Sequence, residues 1–98
     1  MSAKAYIVAE LKVHDPEAMA RYRPLSQAAV EQYGGRFVVR GGASEILEGA
    51  WSPPERMVIV EFDSVEQAKC FYHSPEYQAA RAVRESAAEM NMLVIAGV

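Results

Sequence analysis

The chain has one cysteine, Cys70, so it can form no intrachain disulfide and no cysteine metal cluster. Flanked by Ala68 and Phe71 in a helical pattern, that thiol is expected to be packed rather than reactive. Basic runs are missing too, and the formal net charge is −3 with a pI near 5.3. Nucleic acids and anionic membrane surfaces call for clustered lysine and arginine, so neither is an expected partner. No stretch approaches the roughly 20 apolar residues of a membrane span. The opening MSAKAYIVAE enters a strand pattern at once, without the apolar segment of a secretory signal. A soluble, reducing, cytoplasmic setting is the expectation.

Ligand motifs are scarce as well. His14 and His73 lie far apart, with no carboxylate at HxxE or HExxH spacing, so no metal site is expected. Ser64 and Ser74 sit in nothing like GxSxG and read as helix caps. Four of the six glycines fall within residues 33–42, YGGRFVVRGG, yet they match neither GxGxxG nor GxxxxGK[ST]. No nucleotide, metal or other cofactor is expected.

What is present is ordinary globular material: 98 residues, 51% hydrophobic and 23% charged, read as a single domain over residues 1–98. A domain this small buries little more than about 60% of its unfolded surface, so partners often complete it. Residues 4–13 alternate as a strand. Asp15 and Pro16 then open a helix with Met19, Tyr22, Leu25, Ala29 and Tyr33 at helical spacing. Pro24 predicts a kink or break in that helix, and Gly34 its end. RFVVR, residues 36–40, is a second strand that the second glycine pair bends or bulges, with extended chain continuing through SEILE. GAWSPPE is a loop, since Pro53 and Pro54 exclude a central strand. RMVIVEF, residues 56–62, is the clearest strand. A helix capped by Ser64 or Asp63 follows, ends near His73, restarts at Ser74 and runs through QAARAVRESAAEM. Residues 92–98 are the last strand.

The order β-α-β-β-α-β is the ferredoxin-like arrangement: an α+β fold with a four-stranded antiparallel sheet carrying both helices on one face. The second sheet face should be wet and polar, but Tyr6, Val8, Met57, Ile59 and the last strand are apolar there. A homodimer packed through that open face is the simplest cover. Strict alternation along RFVVR places Arg36, Arg40, Glu10 and Glu61 on that same covered face with Tyr6. Charges there must pair or line a wet cavity. Arg40 therefore either bridges Glu10 or Glu61 as interface glue, or clamps a carboxylate or enolate in a pocket between the sheets. Trp51 either plugs an end of the core or dimer seam, or is a lid. Tyr22 and Tyr72 occupy apolar helix faces, packed or serving as hydrogen-bond donors.

YGGRFVVRGG, LEGAW, RMVIVEF, DSVEQAKCFYHSPEYQAAR and Arg84 together resemble the family called domain of unknown function 1330, within the dimeric α/β-barrel group of ferredoxin-like proteins. The resemblance spans nearly the whole chain and implies that fold and a sheet-to-sheet dimer. Asp15, Tyr22, Arg40, Glu48, Trp51, Glu61, Ser74, Tyr77 and Arg84 fit its pattern. Ala96 stands where the family commonly has an acid. It implies no reaction, although related families include cofactor-free quinol monooxygenases and muconolactone isomerases. Two functions follow. In one, an acidic or quinone-like small molecule is bound or transformed, with Arg40, Glu61 and Tyr22 in catalytic roles and Tyr6, Glu10, Trp51 and Tyr72 as ligand contacts. In the other, the protein is a non-catalytic interaction dimer.

Overall fold

The computed structural model describes residues 3–52 and 54–98; Pro53, one of the two strand-excluding prolines, lies outside them. The elements are β1 (Ala5–Val13), α1 (Pro16–Gln32), β2 (Arg36–Arg40), β3 (Arg56–Phe62), α2 (Val65–His73), α3 (Pro75–Arg84) and β4 (Ala88–Ala96). The strands form one antiparallel sheet in the order β2-β3-β1-β4, a ferredoxin-like arrangement.

Alternation in β1 sends Ala5, Ile7, Ala9 and Leu11 under the helices, where each is buried. Ile7 and Leu11 meet Met19, Tyr22 and Val30 of α1, Phe71 of α2, and Tyr77 of α3 in one core. Phe62 is 1% exposed and stacks 5.2 Å from Phe71, which in turn lies 4.7 Å from Tyr77. Aromatic burial on this scale dominates the stability of so small a domain.

The caps follow the sequence. Asp15 accepts hydrogen bonds from the backbone N–H groups of Glu17 and Ala18, and Ser64 accepts from that of Gln67. Gly34 closes α1 with φ +79°, a conformation that favours glycine. Ser74 joins α2 to α3, donating to the Phe71 carbonyl at 2.6 Å and accepting from the Tyr77 N–H at 3.1 Å.

Five expectations are corrected. Pro24 does not break α1, because it and Ala20, whose carbonyl it leaves without a helical donor, both face solvent. SEILE joins no sheet; no strand occurs among the described residues between Arg40 and Arg56. The helical tract stops at Arg84, and β4 begins at Ala88 instead of residue 92. There the Ala87 carbonyl accepts from both His14 and Asp15, and Ala88–Asn91 pair with Val13–Glu10, so tertiary pairing overrides helix propensity. Cys70 is exposed, on the outer side of α2. Trp51 is 61% exposed, so within this chain it plugs no core.

Candidate functional site

A sixth correction positions the site. Phe37 pairs with Val60 and Val39 with Ile59, so Val38 is an extra residue bulged out of β2. The bulge inverts the alternation beyond it: Arg40 pairs with Val58 and turns to the helix side. There its guanidinium donates to Gln27 Oε1 of α1 at 2.8 Å and lies 4.2 Å from the Phe37 ring centroid. Arg40 and Glu61 therefore lie on opposite faces of the sheet, not on one.

Beneath Arg40, a cavity of about 60 Å³ opens between α1, α3 and the sheet. At roughly 10–15 Å³ per water it holds only a few waters. Its walls are nonetheless deformable, since Met19, Met90 and Met92, three of the chain's five methionines, line it. Its charge is one-sided. Arg23, Arg40 and Arg56 line it and no Asp or Glu does, in a chain of net charge −3. Among the described residues, none of these three arginines forms an ion pair.

The inner wall carries hydroxyls. Tyr22 and Tyr77 both line the cavity, their oxygens 2.8 Å apart and their rings edge to face. Burial raises the Tyr77 pKa well above its ordinary value, and Tyr22 beside it pushes the same way, so the hydroxyl stays neutral. Arg84 Nη2 donates to Tyr77 Oη at 3.4 Å, and its guanidinium carbon lies 5.5 Å from the Tyr22 ring centroid. Arg84 is 7% exposed, and its Nε is buried with no hydrogen-bond partner among the described residues.

The other expected site residues go elsewhere. Glu61 sits on the open sheet face, where Arg36 Nη2 holds it at 2.9 Å and Tyr6 Oη donates to it at 3.3 Å. Glu10, on the same face, accepts from Asn91 at 3.3 Å. Tyr72 packs behind Tyr77, with ring centroids 5.5 Å apart, and does not line the cavity. Trp51 lies in the exposed loop between β2 and β3, and does not line it either. Of the seven, Tyr22 and Arg40 meet at the cavity, and Tyr6 meets Glu61 on the open face. Arg23, Arg56 and a role for Tyr77 and Arg84 beyond family pattern escaped the sequence reading. A signal was available: Tyr77, Ala80 and Arg84 recur at helical spacing, putting an arginine on a stripe that is otherwise buried.

Comparison with known proteins follows the fold. A Rhodopseudomonas palustris protein of unknown function matches with TM-score 0.79 and 19% identity, over 100% of this chain and 85% of its own. SnoaB, a cofactor-independent oxygenase from Streptomyces nogalater, matches with TM-score 0.72 and 11% identity, over 99% and 95%. A dimeric ferredoxin-like protein of unknown function from Thermobifida fusca matches with TM-score 0.58 and 12% identity, over 99% and 93%. These likenesses concern the fold. No curated protein matches the chain. The model of the domain of unknown function DUF1330 matches residues 4–98, and the chain belongs to that family.

Proposed function

We propose that this protein binds, and in the fullest form of the reading transforms, a small acidic or quinone-like organic molecule in the cavity between helices and sheet. One observation carries the reading. Among the described residues, three arginines without ion-pair partners surround an apolar cavity that no carboxylate lines. A low-dielectric recess ringed by cations of one sign focuses its field on an anion. Arg40, the most exposed of the three on the rim, is the anion clamp in place of a partner for Glu61. The fold is shared with a cofactor-independent oxygenase, which supports chemistry on a small molecule only as an analogy of fold.

We infer further that the protein is a homodimer packed through its open sheet face, working in the cytoplasm. Leu93 and Ile95 are 56% and 54% exposed beside Val8 and Ile59 on that face. The Thermobifida fusca relative is described as dimeric. Glu61, Arg36 and Tyr6 satisfy one another and can be covered without leaving a charge unpaired, which favours interface glue over catalysis for them.

Thermal-shift and calorimetric titration with benzoate, salicylate and 2-hydroxy-1,4-naphthoquinone tests the cavity. Wild-type protein should be stabilised by at least one of them. Arg40→Ala should weaken that binding about tenfold, the value of one charged hydrogen bond, while the free protein stays folded with only the small loss due to its Gln27 and Phe37 contacts. Binding that survives Arg40→Ala, Arg23→Ala and Arg56→Ala unchanged would rule the cavity out.

A further inference from the structure

The inner wall of the cavity holds three polar side chains joined by two hydrogen bonds, and burial sets the direction in which they run. Arg84 Nη2 is 3.4 Å from Tyr77 Oη, which is 2.8 Å from Tyr22 Oη. A guanidinium has donors and no acceptor. Tyr77 therefore accepts from Arg84, and because Tyr77 is 1% exposed against 7% for Tyr22 and its O–H has no other acceptor among the described residues, its own proton turns toward Tyr22. Tyr22 accepts that proton and must point its own elsewhere. Among the described residues Tyr22 Oη has no second partner, and Tyr22 lines the cavity. The sequence of donors Arg84→Tyr77→Tyr22 thus ends in a free O–H. Each bond polarises the next, because the chain is buried and the effective dielectric is low.

We propose that Tyr22 is the recognition donor for a conjugated oxyanion, a phenolate or enolate oxygen, with Tyr77 and Arg84 as positioning residues that fix the direction of its O–H bond. This rests on the cavity being the anion site and adds which oxygen is read there. The arginine rim suits a carboxylate, which two donors can grip at once. A single hydroxyl backed by a buried cation suits one oxygen that bears the charge of a conjugated ring. The orphaned Nε of Arg84 fits the same picture. An arginine placed for packing would have its donors satisfied, whereas this one spends its position orienting a hydroxyl.

The test compares the affinities of 4-nitrophenolate and its methyl ether, 4-nitroanisole, at one fixed pH, with benzoate as a probe of the rim. Wild type should prefer the phenolate. Tyr22→Phe should cut that preference about tenfold, as loss of one hydrogen bond to a charged oxygen does. Arg84→Gln should do the same, because its amide carbonyl can accept from Tyr77 and let the chain reverse. Arg84→Lys, a donor-only replacement, should keep most of the preference, which a purely structural role does not predict. Benzoate binding should persist in all three. If benzoate binds and the preference survives both Tyr22→Phe and Arg84→Gln, the directed chain is wrong and the anion site stands. If wild type binds neither anion, both fall. Should the Arg84 variants fail to fold by circular dichroism, Tyr22→Phe alone decides, since it removes one oxygen and no core volume.

Discussion

Arg84 illustrates what a single residue can cost. It is 7% exposed, and its Nε has no hydrogen-bond partner among the described residues, a penalty of roughly 1–3 kcal/mol. A core selected for stability alone would not carry it. The adjacent Tyr77 gives a pH prediction. Its pKa is raised, chiefly by burial, so the folded state favours the protonated hydroxyl more than the unfolded chain does. The sign follows from linkage. Its contribution is complete below its ordinary pKa of 10.0 and is lost as pH climbs from there toward the folded value. Ultraviolet titration should therefore show the Tyr77 hydroxyl ionising only with alkaline unfolding. Tyr77→Phe should remove that late step, and a late step unchanged in the variant would contradict the burial argument. Tyr22 was legible from helical spacing, because an aromatic on an apolar stripe announces a core position. The chemistry of Arg84 was not, because a buried arginine is legible only once the hydroxyl it faces is known.

Among the elements, β2 changes the reading most. Its five residues alternate in sequence as a regular strand would, and that pattern assigns Arg40 to the open face. The extra residue, Val38, is invisible to periodicity, since a bulge is set by pairing with the neighbouring strand. Deleting Val38 therefore should not move Arg40. It leaves Arg36, Phe37, Val39 and Arg40 in regular alternation, with Phe37 and Arg40 still toward the helices. Benzoate affinity of the deletion variant is expected to stay close to wild type; a loss as large as that of Arg40→Ala would show that the bulge itself shapes the site. Ser74 gives a second element-scale prediction. It is 4% exposed and bonds both ends of the α2–α3 junction. Ser74→Ala should lower stability by about 1–2 kcal/mol in denaturant unfolding, at the upper end for a helix cap. Caps and glycine stops were legible because their chemistry is local. The start of β4 was not, because residues 85–90 have helical composition, yet 85–87 form a turn and Ala88–Met90 are held extended by β1.

The molecule as a whole is thin: its Cα atoms span 36 × 34 × 16 Å, one helical layer over one sheet. One sheet face is covered by helices and the other is bare, with Leu93 and Ile95 more than half exposed. That face was legible from the failure of polar alternation in β1, β3 and β4. Leu93→Asp combined with Ile95→Asp should convert a dimer to folded monomers by analytical ultracentrifugation; a wild-type monomer at micromolar concentration would contradict the proposed assembly. The two faces also separate the two functional readings, cavity against open sheet, and the methionines report on both. Met19, Met90 and Met92 line the cavity, while Met57 pairs with Glu10 on the open face. Methyl NMR of methyl-labelled methionines during titration with benzoate, and then 4-nitrophenolate, tests the site most directly. The cavity reading predicts shifts at Met19, Met90 and Met92 with Met57 unmoved. Shifts confined to Met57, or none at saturating ligand, would contradict it.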